Sequence, residues 1–215
     1  MGPCQGVAVM NMSITSIVSA AALGIAIVLA PAAHAAVSQK TLQNLNTAYQ
    51  GESNASNRYA KFAIKAEEEG YAQVAKLFRA ASAAEAIHRE SHKAAIQELG
   101  GTVDVFELEA VTPATTAENL KAAIKGETYE RDTMYPEFLA VAKSDNARPA
   151  MKTLEWARTA EKEHAMLYQD ALDNLGKNPT KDYFVCQVCG MTLTELPTKK
   201  CPSCRRSRDE YKKIN

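Results

Sequence analysis

Aromatic residues make up only 7% of the 215 residues. Through residues 37–178 the strict apolar–polar alternation of half-buried strands is missing, which argues against a β domain there. Net charge is missing too: Lys+Arg and Asp+Glu both number 25. With no extended block of like charge, a generally basic nucleic-acid binder and a polyelectrolyte tail are both excluded. No glycine-rich phosphate-cradling fingerprint is present, so nothing predicts a dinucleotide site. Cysteine is scarce until the C-terminus, Cys4 being the lone earlier one, and no function attaches to it.

Residues 1–36 lack Asp, Glu, Lys and Arg altogether. Within them Ile14 to Ala30 is largely apolar, and Pro31 and Ala33-His34-Ala35 follow. This pattern predicts a secretory signal peptide cleaved near Ala35, with export to the periplasm, or a membrane leader if uncleaved. The n-region has no Lys or Arg, which excludes a twin-arginine signal. A mis-assigned start codon, giving a cytoplasmic protein, is the alternative.

What is plentiful is Ala, Glu, Lys and Leu, the helix formers. Four long segments read as helices, at about 40–69, 71–99, 117–143 and 147–175, punctuated by Gly70, Gly100-Gly101 and Gly176. A Val/Thr-rich crossover, Thr102 to Thr116, joins the second to the third. Two short turns and one long crossover predict a four-helix bundle of the ferritin-like kind over residues 37–178. The halves repeat: Gly51-Glu52-Ser53 returns as Gly126-Glu127-Thr128. Ala84-Glu85-x-x-His88 returns as Ala160-Glu161-x-x-His164, and Leu99-Gly100 as Leu175-Gly176.

Residues three apart share a helix face, so Glu85 with His88 and Glu161 with His164 would point inward together. A buried carboxylate is costly unless it is paired or bound to metal. Imidazole and carboxylate together suit iron or manganese. With Glu52 and Glu127 added from the other helices, the set is the di-metal carboxylate pattern of ferritin-like proteins. Glu130, three residues after Glu127, adds a carboxylate on the same face. Tyr59 and Tyr135 are placed to hydrogen-bond ligand carboxylates or simply to fill the core.

From Asn178 the texture changes to prolines, aromatics and cysteines. Cys186-x-x-Cys189 and Cys201-x-x-Cys204 form two knuckles in residues 181–215. Four thiolates so spaced predict one tetrahedral iron or zinc. The lead-in Tyr183-Phe184-x-Cys186 and the pair Cys189-Gly190 favour a rubredoxin-like iron knuckle.

These strings together closely resemble the rubrerythrins: Gly51 to Ala55 with Arg58-Tyr59, Glu85-x-x-His88, Glu127 to Arg131, Met134-Tyr135-Pro136, Glu161-x-x-His164 and the C-terminal cysteines. The resemblance covers about residues 38–215. It implies a di-iron site of Glu52, Glu85, His88, Glu127, Glu130, Glu161 and His164, with a histidine and Glu130 exchanging as ligands on redox change. It implies a mononuclear iron on Cys186, Cys189, Cys201 and Cys204. The implied activity is a peroxidase reducing hydrogen peroxide to water in oxidative-stress defence. Electrons would come from a rubredoxin or a reductase, and NADH would be used only through that separate reductase. It also implies a homodimer. The second knuckle departs from the family at Cys204-Arg205-Arg206-Ser207, where Gly usually follows the cysteine, which leaves zinc open. A ferritin-like ferroxidase or iron store and a zinc-stapled interaction module are the alternative functions.

Overall fold

The computed structural model describes residues 1–3, 6 and 37–215. The leader and cleavage-site expectations, and Cys4, therefore lie outside the described residues. Helix α1 spans Gln39–Glu68, α2 Ala72–Glu98, α3 Thr116–Tyr129, α4 Tyr135–Ser144 and α5 Arg148–Asp173. Strands β1, Tyr183–Cys186, β2, Thr192–Leu193, and β3, Tyr211–Ile214, follow. Among the described residues no helix is long and apolar enough to cross a membrane.

Local chemistry sets the helix ends. Ser38 caps α1 by accepting from the Thr41 N–H, and Thr115 forms a reciprocal capping box with Glu118 at α3. Helix α1 stops at Gly70, whose φ of +83° lets the Tyr71 N–H turn back to the Ala66 carbonyl at 2.8 Å.

The third expected segment is not one uniform helix. A π-helical turn, Glu130–Met134, joins α3 to α4, and the Tyr135 N–H bonds the Glu130 carbonyl. Pro136 supplies the reason, because it has no N–H to continue the ladder and its ring crowds the carbonyl four residues back. The consequence is geometric. Tyr135 lies eight residues after Glu127, and two α-helical turns take roughly 7.2. The turn absorbs the excess and keeps both residues facing inward. Such π-turns recur at functional sites.

Two apolar clusters fill the bundle. Tyr59, Phe62, Phe78, Leu77, Leu120 and Tyr168 belong to one, and Leu45, Ile96, Tyr135, Leu139 and Leu154 to the other. The few aromatics are concentrated: the Phe78 and Tyr168 rings are 5.2 Å apart and those of Tyr59 and Tyr168 5.5 Å apart. On α1, α2, α3 and α5 the predicted ligand carboxylates and histidines fall between these clusters, so a polar layer is sealed between apolar ends.

The C-terminal strands form an antiparallel sheet in the order β2-β1-β3. This module packs on α2 and α5 of its own chain. Tyr183 and Val185 join the first apolar cluster, the Gln73 side chain donates to the Lys181 carbonyl at 3.0 Å, and Arg79 donates to the Asn215 carbonyl at 2.8 Å.

Candidate metal centre

Helices α1, α2 and α5 carry site residues inward at mid-length, and α3 carries Glu127 inward in its last turn. Glu52, Glu85, His88, Glu127, Glu161 and His164 are all at most 1% exposed. They form two overlapping sets: Glu52, Glu85, His88 and Glu161, and Glu85, Glu127, Glu161 and His164. His88 Nδ1 lies 2.8 Å from Glu85 and 3.2 Å from Glu161. His164 Nδ1 mirrors it, at 2.9 Å from Glu161 and 3.1 Å from Glu85. Of His88 and His164, Glu52 approaches His88, at 4.0 Å, and Glu127 approaches His164, at 3.9 Å; Glu52 also lies 3.8 Å from His92 Nε2. The helical-hairpin repeat of the sequence thus becomes a two-fold arrangement, with Glu85 and Glu161 shared and Glu52 and Glu127 terminal.

Glu52 Oε2, Glu85 Oε1, Glu127 Oε2, both oxygens of Glu161 and His164 Nδ1 are buried without a hydrogen-bond partner. Buried polar atoms are rarely left so. Six such atoms in one layer, all hard oxygen or imidazole nitrogen, fit a pair of iron-type cations.

The outer nitrogens show which ring atom faces the metal. His88 Nε2–H donates to the Cys189 carbonyl at 3.1 Å. His164 Nε2–H donates to Thr192 Oγ1 at 2.9 Å, and that hydroxyl donates onward to the Gly190 carbonyl. Each Nδ1 is thereby left for the carboxylate layer. The acceptors belong to the cysteine module, so the module itself orients both histidines.

Tyr59 and Tyr135 act crosswise. The Tyr59 hydroxyl donates to Glu127 Oε1 at 2.7 Å, across the bundle from the Glu52 that shares its helix, and the Tyr135 hydroxyl donates to Glu52 Oε1. Glu130 falls outside both ligand sets and is half-buried beside them.

His92 went unrecognised in the sequence. It is fully buried, with Nε2 3.2 Å from the Tyr135 hydroxyl and Nδ1 3.1 Å from Thr153 Oγ1. Since the Tyr135 proton goes to Glu52, His92 Nε2–H donates to Tyr135 and Thr153 donates to Nδ1. The signal was present: His92 follows His88 by four residues, on the same helix face.

Without metal the layer holds protons. Burial, then the charges of Glu85 and Glu161, push Glu127 up to about 8 and Glu52 well above the carboxylate range. Burial opposes charge on His88 and His164, but the facing Glu161 and Glu85 carboxylates raise both well above normal. Burial likewise opposes charge on Glu85, and the two imidazoles hold it at about 2. Burial, with the neighbouring His88 charge, takes His92 down to about 3. The signs give a prediction. Glu127 titrates near 4.5 when unfolded and about 8 when folded, so the folded apoprotein binds more protons in that window. Apoprotein stability should therefore fall as pH rises from about 5 to 8. Bound metal displaces those protons, so iron affinity should rise over the same range. Melting temperatures with and without iron across that range check both slopes.

In the cysteine module, Cys186 and Cys204 Sγ lie 3.7 Å apart and Cys189 and Cys201 Sγ 3.6 Å apart. Disulfides need about 2.05 Å. A tetrahedron with bonds of about 2.3 Å has edges of roughly 3.8 Å, so these spacings suit one metal. Hydrogen bonds from the Cys186 and Cys189 thiols pull Cys201 below its normal range. Arg205 takes a left-handed φ of +65° and its N–H reaches the Cys201 carbonyl at 3.1 Å. Gly190 does the same toward Cys186, at 2.9 Å. The second knuckle keeps its shape without glycine, at a cost of about 1–2 kcal/mol.

A family model described as Rubrerythrin matches residues 43–172. Rubrerythrin-2 of Clostridium acetobutylicum is 33% identical over 179 residues, covering 80% of this chain and 95% of its own. Nigerythrin of Nitratidesulfovibrio vulgaris is 33% identical over 171 residues, covering 80% and 85%. A solved structure of nigerythrin in its fully reduced, all-ferrous state superposes with a TM-score of 0.73 at 31% identity, over 85% of this chain and 90% of that one. A bacterioferritin of Mycobacterium tuberculosis, 21% identical with a TM-score of 0.59, shares the bundle fold. With a di-iron carboxylate and histidine layer in a ferritin-like bundle and a four-cysteine cluster behind it, the chain belongs to the rubrerythrin family.

Proposed function

We propose that the protein is a non-haem di-iron peroxidase that reduces hydrogen peroxide to water in oxidative-stress defence. The observation that carries this reading is the 3.1 Å hydrogen bond from His88 Nε2 to the carbonyl of Cys189. It joins a residue of one metal set to a residue of the other. An iron store has no use for such a joint.

In this reading Glu52, Glu85, His88, Glu127, Glu161 and His164 hold two irons, and Cys186, Cys189, Cys201 and Cys204 hold a third. Two irons held in the bundle would supply Lewis acidity and two electrons, enough with two protons to convert one hydrogen peroxide into two waters, and an iron on the four cysteines would pass the replacement electrons one at a time from the donor protein. Glu85 and Glu161 neutralise both metals at once. Tyr59 and Tyr135 fix the terminal carboxylates through their hydroxyl protons. Glu130, raised by burial and by the surrounding Glu52 and Glu127 charges, holds a proton at its carboxyl and is free to become a ligand on oxidation. The sealed layer, at most 1% exposed, excludes bulk water and favours a substrate as small as hydrogen peroxide. The proposal includes an electron-donor protein, a rubredoxin or a reductase, with NADH oxidised only there, and a homodimeric assembly.

Anaerobic stopped-flow spectroscopy of the reduced, iron-loaded protein mixed with hydrogen peroxide tests it. Rapid oxidation of the bundle irons, followed by the cysteine site on the turnover timescale, is the expected result. A cysteine site that holds zinc, or stays reduced while the bundle oxidises, would return the protein to the ferroxidase reading.

A further inference from the structure

Strand β3 pairs with β1 so that Tyr211 lies opposite Cys186. Its backbone is thereby fixed to the first knuckle, while its half-buried ring packs among Cys186, Cys189, Met191 and Cys201. The ring spans to the second knuckle, where its hydroxyl donates to Cys201 Sγ at 3.1 Å. Among the described residues, the other side-chain hydrogen bonds to a cysteine sulfur come from the cysteines themselves.

We propose that Tyr211 tunes the four-cysteine site: its hydroxyl bond to the Cys201 sulfur raises the reduction potential of the iron held there. The inference rests on the iron reading of that site given above. An O–H donor draws electron density from the thiolate. The reduced site carries one more negative charge than the oxidised one, so the donor stabilises the reduced form more, and hydrogen bonds to sulfur are among the levers that set such potentials. Arg205, Arg206, Arg208, Lys212 and Lys213 also favour the reduced form, but they are exposed and salt screens them. The O–H···S bond is a direct 3.1 Å contact to a fully buried sulfur, so salt screens it far less. A potential raised in this way makes the site easier to fill from a weak donor and keeps it reduced between arrivals of peroxide.

Tyr211→Phe removes one oxygen atom and keeps the ring. Full-length iron-loaded wild type and variant are titrated spectroelectrochemically at low and high salt, with iron and zinc counted on each sample. At the wild-type midpoint the variant's reduced-to-oxidised ratio should fall about three- to tenfold, tenfold being 59 mV for one electron. The fall should be the same at both salts, with the sulfur-to-iron charge-transfer band moved to longer wavelength. Installing 3-fluorotyrosine at position 211 strengthens the donor and should move the ratio the other way. Opposite signs from two nearly isosteric rings distinguish tuning from packing. A Tyr211→Phe variant that keeps its iron and stays within twofold of wild type overturns the inference and leaves the peroxidase reading intact. So does a fluorotyrosine shift of the same sign as that of phenylalanine. A wild-type site that takes up only zinc overturns both.

Discussion

Glu161→Ala should strip both irons from the bundle and leave the four-cysteine iron in place. Glu161 belongs to both ligand sets, and each of its oxygens faces a different histidine, at 3.2 Å and 2.9 Å. Neither oxygen makes a hydrogen bond of good geometry, and what the apoprotein loses with the side chain is its charge contact with the two imidazoles. Its removal leaves each metal short of a carboxylate and removes one bridge between them. Glu52→Ala touches one set only and should lower occupancy at one position. The stability effects should differ sharply in size between the apo and iron-loaded forms. In the apoprotein, deleting one buried carboxylate relieves repulsion on Glu52 and Glu127, both of which Glu161 pushes up. That relief offsets part of what is lost with the imidazole contacts, so the apo variant should melt close to the wild-type temperature. Wild type gains about 4 kcal/mol from a metal present at a thousandfold over its dissociation constant, and the variant should lose that gain. Iron counting and melting curves with and without iron check both halves. Two irons retained in the bundle would show that Glu161 does not bridge.

That symmetry was already legible in the sequence, because the repeat of Gly-Glu and Glu-x-x-His is a repeat of helix faces. A carboxylate or imidazole three residues from another must share its face, and four such residues at matching offsets must meet in a bundle core. The crosswise tyrosines were legible only in part. Tyr59 reads as facing the Glu52 end of its own helix, yet it bonds Glu127, because donor and acceptor are brought together by the packing of α1 on α3. The π-turn was signalled by Pro136 inside an expected helix, but what that proline does to the phase of Tyr135 depends on how the helix repairs its ladder. His92 was hidden by ordinariness: a histidine four residues along a helix is a surface residue as often as a buried one. The contact of the cysteine module with His88 and His164 was out of reach. It joins residues 101 and 28 apart in sequence through a docking that no local pattern encodes.

Gly190 marks that docking, and Gly190→Ala should uncouple the two metal sites. A methyl at this position would lie 2.3 Å from His88 Nε2, 2.6 Å from His88 Cδ2 and 3.1 Å from the Ala84 carbonyl. The residue also holds a φ of +74°, which costs an alanine about 1–2 kcal/mol. Something must move, and His88 is the less free partner, because its Nδ1 is engaged with Glu85 and Glu161. The module must therefore retreat from α2, and His88 Nε2–H loses the Cys189 carbonyl. The Thr192–Gly190 turn that accepts from His164 moves with it, so both imidazoles lose their outer partners together. The bundle keeps its carboxylates and its apolar clusters, and bundle iron should still bind and still be oxidised by peroxide. What should suffer is communication: oxidation of the cysteine site after a peroxide pulse should slow by roughly tenfold to a hundredfold, as misplacement by an ångström can cost. Gly70→Ala serves as the control, since it also has a positive φ but meets nothing within 4 Å, and it should cost stability without slowing that step. Stopped-flow traces at the wavelengths of the two sites separate the results. If the Gly190 variant slows no more than the Gly70 variant, the His88–Cys189 joint is structural, and electrons enter the bundle by another route.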